Sequence, residues 1–131
     1  MNDLLCYLDT LDIDFKVIGL SENWGKAHNI DLRHIPGYTH HYCIRSKSKI
    51  GGGTSLYIKK ELQQRLRKDL ELNSTVAETV FVEIDRKEYQ TNRNIIIGII
   101  YRPPRTSITK FNEQLEKLLN TIQREKNMHI Y

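Results

Sequence analysis

Few residues in this chain have both the type and the setting for chemistry, and the first is Glu22. It lies in Ser21-Glu22-Asn23-Trp24-Gly25, directly after the apolar run Phe15-Lys16-Val17-Ile18-Gly19-Leu20. Ligands gather outside the C-terminal ends of strands in open α/β sheets, so a carboxylate placed there has a defined direction into a cleft. On its own, a glutamate after an apolar strand fits a solvated loop residue more readily than an ion ligand. Tyr101 and Arg102 close a second apolar run, Asn94-Ile95-Ile96-Ile97-Gly98-Ile99-Ile100, and Pro103-Pro104 stops it. Arg102 fits either a surface arginine or a guanidinium fork for a phosphate. Lys47 and Lys49 belong to a basic stretch with Arg45, Lys59, Lys60, Arg65, Arg67 and Lys68, opposed there by Glu61. That stretch fits either a solvated surface or phosphate contact on a nucleic acid.

Other chemistries find no support. Cys6 and Cys43 form no CxxC pair, and His28, His34, His40 and His41 lack the spacing of a zinc site. The four histidines read as surface or loop residues. Gly51-Gly52-Gly53 serves a tight turn rather than a phosphate cradle, because no helix N-terminus follows it as a P-loop requires. Trp24 reads as a structural residue in preference to a base-stacking platform.

The elements that must position these residues follow from periodicity. Leu4, Leu5, Leu8 and Leu11 predict an amphipathic helix over residues 2–11. Residues 15–20 predict a strand buried on both faces. Residues 26–37 read as a polar loop, residues 38–45 as a strand, and residues 54–58 as its hairpin partner. The segment 59–72 is ambiguous: Leu62, Leu66 and Leu70 have helical spacing, yet tertiary context could impose a strand. Strands follow over 79–84 and 94–101, the latter apolar on both faces. Phe111, Leu115, Leu118, Leu119 and Ile122 predict a helix over 109–125, and residues 128–131 look like the start of another strand. The pattern is mixed α/β, with sheets flanked by helices.

Length and composition fit one domain or part of a larger one. The chain has 131 residues, 39% apolar and 27% charged, with a net charge of +4 from 20 basic and 16 acidic side chains. That is far from the signature of disorder. No signal peptide is legible and no apolar run is long enough to span a bilayer. The expectation is an intracellular protein, nuclear or cytoplasmic, without a membrane partner.

Four pieces in order carry a resemblance: Val17-Ile18-Gly19-Leu20-Ser21-Glu22-Asn23-Trp24, Gly51-Gly52-Gly53-Thr54-Ser55-Leu56-Tyr57-Ile58, Ile96-Ile97-Gly98-Ile99-Ile100-Tyr101-Arg102-Pro103-Pro104, and the helix from Phe111 to Ile122 leading into Met128-His129-Ile130-Tyr131. Together they resemble the endonuclease/exonuclease/phosphatase superfamily, in its non-LTR retrotransposon branch. The resemblance implies an α/β (α+β) fold, part of a four-layer, DNase-I-like sandwich. It also implies a magnesium-dependent phosphodiesterase that nicks DNA to prime reverse transcription. Glu22 matches the position of the metal-binding carboxylate, and Tyr101 matches a tyrosine whose hydroxyl lies near the scissile phosphate. Packing of Tyr101 on Pro103 and Pro104 is the other reading. Magnesium suits Glu22 physically, since it takes hard oxygen ligands and few protein carboxylates, completed by waters and phosphate oxygens.

The departures from that family pattern bear on activity. The family's first-strand asparagine, its Gly-Asp-Phe-Asn and its Ser-Asp-His are not found in the 131 residues. The expectation is therefore a piece of such a domain, truncated at both ends, binding magnesium weakly and without useful nuclease activity by itself. A non-catalytic nucleic-acid-binding or interaction remnant is the alternative. An unpaired edge on the 94–101 strand would further favour self-association.

Overall fold

The computed structural model describes residues 2–45, 51–86 and 93–128. Its elements in chain order are α1 (Asn2–Thr10), β1 (Val17–Ser21), β2 (Tyr38–Cys43), β3 (Thr54–Lys59), β4 (Gln64–Leu66), β5 (Glu78–Ile84), β6 (Ile95–Tyr101) and α2 (Ile108–Met128). Short 3-10 turns occupy Ile30–Arg33 and Lys68–Leu70. The fold is mixed α and β, with two antiparallel three-stranded sheets ordered β1-β3-β2 and β4-β5-β6.

The two sheets pack face to face, and strand alternation decides what meets between them. Leu56 and Ile58 of β3 point inward onto Val80, Val82 and Ile84 of β5, joined by Val17, Cys43, Leu62, Ile97 and Ile99. Alternate residues of β5 and β6 point the other way. There Phe81 packs with Leu70 and Leu118, and Ile96, Leu72, Leu115 and Ile122 surround them. The helical stripe of α2 thus covers the outer face of the second sheet. The outer face of the first sheet is covered by residues 26–37, which bury Ile30 and Ile35. Tyr57 Oη donates to the Arg33 carbonyl at 2.6 Å and ties this cover to the sheet. The leucines of α1 are only half-buried.

Several sequence expectations change. The first strand begins at Val17 and is half-buried rather than buried on both faces, because among the described residues β1 is an edge paired with β3 alone. The loop over 26–37 holds the 3-10 turn at Ile30–Arg33. His40 and His41 are half-buried members of β2 rather than loop residues. The segment 59–72 is not a helix. Its leucines serve different surfaces: Leu62 joins the inter-sheet core, Leu70 joins the core beneath α2, and Leu66 lies at the surface. A single helical stripe cannot reach both sides of a sheet, so the backbone extends into β4. β6 is apolar throughout yet pairs only with β5 among the described residues, which leaves Ile95 and Ile100 exposed. Residues 129–131, at the end of the predicted last strand, lie outside the described residues, and α2 runs to Met128.

Arg67 locks the short β4 segment to α2. Its guanidinium, 8% exposed, bonds Asp69 at 2.7 Å, Glu83 at 2.7 Å and Glu125 at 2.6 Å. Burial by itself raises the pKa of Glu83, but hydrogen bonds from Asn94, Arg65 and Arg67 outweigh it and hold the carboxyl at about 2. A folded-state pKa below the unfolded value stabilises the fold above the unfolded pKa and stops doing so as pH falls through the folded one. The urea midpoint is accordingly expected to fall between about pH 4.5 and about pH 2. Glu83→Gln should flatten that slope and cost roughly 1–3 kcal/mol at pH 7. A Glu83→Gln protein with an unchanged acid slope would refute this role for Glu83.

Candidate functional site

The candidate site lies where the C-terminal ends of β1 and β6 meet across the two sheets. Glu22 follows the last residue of β1, and its backbone is left-handed at φ 52°; Trp24 is left-handed too, at φ 54°. That region is uncommon for residues with side chains and costs energy unless neighbours hold it. The holding bonds come from the glycine segment before β3. Asn23 N–H donates to the Gly53 carbonyl at 3.1 Å, and Trp24 N–H donates to that of Gly52 at 2.9 Å. Arg33 Nη1 donates to the Asn23 carbonyl from the other side.

The Asn23 side chain completes the turn. Its Oδ1 accepts the Gly25 N–H at 2.8 Å, and its Nδ2 donates to Ser55 Oγ at 2.6 Å. Ser55 Oγ also lies 2.8 Å from His40 Nε2. His40 stacks on Tyr57 with ring centroids 4.3 Å apart. Burial lowers the His40 pKa to about 4. The ring is therefore neutral at pH 7, and with Nε2 unprotonated it accepts a hydrogen bond from the Ser55 hydroxyl, which in turn accepts from Asn23 Nδ2. Gly53 has φ 82°, and a Cβ there would overlap Asn23 Oδ1. Glycine is required at this place because the turn passes so close.

Tyr101, the last residue of β6, donates its phenol proton to Glu22 Oε1. This bond raises the Tyr101 pKa above its ordinary value, with desolvation acting in the same direction. The hydroxyl thus stays protonated at neutral pH and acts as a donor. The Arg45 guanidinium lies over the Tyr101 ring, 5.6 Å from its centroid, and Arg45 is held in turn by Glu78. Glu78 stands opposite Tyr101 in the β5–β6 register, is 4% exposed, and accepts from Arg45 Nε at 2.5 Å and from Gly53 N–H at 2.6 Å. The hydrogen bond to Glu78 is the main cause that raises the Arg45 pKa, so the cation is permanent. Contacts thus run along the rim from Glu78 through Arg45 and the Tyr101 ring to Glu22.

Glu22 and Tyr101, each read from the sequence as lying at a strand end, are brought together by the fold. Tyr101 uses its hydroxyl on Glu22, which goes beyond packing on the two prolines. Arg102 turns its Nη1 onto the carbonyls of Pro103 and Thr106, at 3.3 and 3.0 Å, and so anchors the turn after β6. Lys47 and Lys49 lie outside the described residues. Much of the basic stretch is neutralised internally: Arg45 by Glu78, Lys59 by Asp14, Arg65 by Glu83, and Arg67 by three acids.

No family model, curated protein or solved structure matches this chain. The site is accordingly judged on its own donors. Glu22 offers exposed hard oxygens beside a hydroxyl donor, which fits one ligand of a magnesium ion completed by water and phosphate. Glu78 is already occupied, and no group of three or more ligating side chains is found among the described residues. Among the described residues, Glu22 is the one carboxylate at this rim with free oxygens to offer.

Sequence reading passed over Glu78, Asn23, Ser55 and His40. A lone acid at the start of an apolar run marked Glu78, but nothing local identified Arg45 as its partner 33 residues earlier. No helix among the described residues is long and apolar enough to cross a membrane.

Proposed function

We propose that this chain carries the Glu22–Tyr101 part of a magnesium-dependent DNA phosphodiesterase centre. The wider reading is a DNase-I-like sandwich of the retrotransposon endonuclease type, acting inside the cell where DNA is met. One observation carries it: the Tyr101 hydroxyl and the Glu22 carboxylate, 79 residues apart, meet at the same end of two face-packed sheets. The family resemblance assigns metal binding and phosphate contact to these two positions.

In this reading Glu22 supplies one oxygen ligand, and the left-handed turn held by Asn23, Gly52 and Gly53 aims it. Tyr101 keeps its proton and turns its hydroxyl to a phosphate oxygen when DNA is bound. Arg45, paired with Glu78, stays on the ring face and fixes the orientation of Tyr101. A bound magnesium ion supplies electrostatic stabilisation of charge growing on the phosphate. An attacking water still needs a base and the leaving oxygen an acid, and neither Glu22 nor protonated Tyr101 is placed to do both. The 131 residues alone are thus read as a binding half-site without turnover. The outer edge of β6 is apolar and carries no charge or proline, so association of copies along it accompanies this reading.

The test measures binding of a short DNA strand to the full chain with and without magnesium. Wild type is expected to bind roughly three- to tenfold tighter with the ion, an effect on the order of 1 kcal/mol. Glu22→Gln should lose that gain and keep the ion-free affinity. Magnesium-independent binding by wild type would overturn the metal assignment. Plasmid nicking abolished by Glu22→Gln would overturn the absence of turnover.

A further inference from the structure

Trp24 has a position that metal binding by Glu22 does not explain. It is the only tryptophan in the chain and it is 55% exposed, although it follows a strand and its backbone is tightly held. A bulky aromatic at φ 54° is a strained residue, and strain of this kind persists where surrounding structure over-determines it. Here the bond from Trp24 N–H to the Gly52 carbonyl, and Arg33 donating to the Asn23 carbonyl, hold it against relaxation. The outcome presents the indole to solvent rather than burying it.

The ring is also supported from below. A Cβ at Gly51 would come within 3.3 Å of Trp24 Cζ2, so Gly51 forms a floor under the indole. Gly51 is left-handed at φ 76°, which disfavours any side chain there whatever the space. A tryptophan with one side against a glycine backbone and more than half its surface free is a flat, rigid platform. It stands two residues from Glu22 on the same turn. A planar, sequence-tolerant ligand lying beside a phosphate is a nucleobase, and base–aromatic stacking needs only such a face.

Resting on the phosphodiesterase reading above, we infer that Trp24 is a stacking subsite for an unpaired nucleobase adjoining the phosphate held at Glu22 and Tyr101. The substrate class is therefore single-stranded or locally unpaired DNA, in preference to a fully stacked duplex. Arg33, donating to the carbonyls of Asn23 and Trp24, is the positioning residue for the platform.

The single tryptophan makes the test direct. The full chain is titrated with a short oligothymidylate and with an abasic oligonucleotide of equal length, reading intrinsic fluorescence together with anisotropy of a labelled strand. The base-bearing strand is expected to quench the indole and bind about tenfold tighter than the abasic one. Trp24→Ala should abolish the difference, while Trp24→Phe should retain most of it. Equal affinities for the two strands, or discrimination that survives Trp24→Ala, would overturn the inference. Base discrimination without magnesium dependence would strike the metal reading alone, and magnesium dependence without base discrimination would strike this inference alone.

Discussion

Glu78→Ala is expected to destabilise the fold by about 3–5 kcal/mol, the range for removing one partner of a buried ion pair. The carboxylate is 4% exposed and satisfies two donors at once, Arg45 Nε and the Gly53 N–H. Truncation takes this carboxylate from a guanidinium that is itself only 16% exposed and strands a backbone donor in the interior. The cost of such stranded groups exceeds the net value of the bonds when made. For a domain of this size the melting temperature should fall by roughly 10–20 °C.

The consequence reaches the candidate site because Gly53 is shared. Its carbonyl accepts from Asn23 and its N–H donates to Glu78, so releasing one side loosens the turn that holds Glu22 and Trp24. A shift in Trp24 emission should therefore accompany the loss of stability. Glu78→Gln keeps the shape and one acceptor while removing the charge, and should lie between wild type and Glu78→Ala. A loss below about 1 kcal/mol for the alanine variant, within the range of exposed pairs, would show that the pair does not hold the rim.

Gly98→Val is the second large effect, expected to cost about 2–4 kcal/mol through overpacking. Gly98 of β6 stands opposite Phe81 of β5, and the Phe81 ring lies across it, so an added Cβ would overlap ring atoms Cδ1 and Cε1. The ring has nowhere to go. It is 4% exposed, and Leu70 and Leu118 pack on it beneath α2. Valine's preference for strands is worth at most about 1 kcal/mol and does not offset the overlap.

A double-mutant cycle separates this from a general intolerance of side chains at the sheet edge. Phe81→Leu alone leaves a void, and Gly98→Val alone has no room. Together the valine occupies space the ring has vacated, so the pair should be less destabilising than the sum by about 1–3 kcal/mol. Strict additivity, measured by urea denaturation, would refute the contact as the cause.

Much of the fold was legible from local pattern. The β-branched runs ending at Leu20 and Tyr101, the hairpin of β2 with β3, and the helix marked by Phe111, Leu115, Leu118, Leu119 and Ile122 correspond to elements of the structure, although Leu119 faces solvent. Periods of two and of about 3.6 residues report which face of an element is apolar, and that is a property of the segment itself. The same logic placed Glu22 and Tyr101 at strand ends before their meeting could be seen.

What the chain order could not display was partnership at long separation. Leu62, Leu66 and Leu70 have the spacing of a helix, yet two of them belong to cores on opposite sides of a sheet. Arg67 belonged to a basic stretch that fitted either a solvated surface or phosphate contact, until Glu125, 58 residues later, came to lie against it. Glu78 drew no reading from the sequence, and its bond to Arg45 is what makes it part of the site. Sequence by itself determined the apolar faces and the positions of chain reversal, because those depend on neighbours a few residues away. Tertiary structure alone decided which charges are buried in pairs and which aromatic faces water, because removal from solvent is a collective property of the packed sheets.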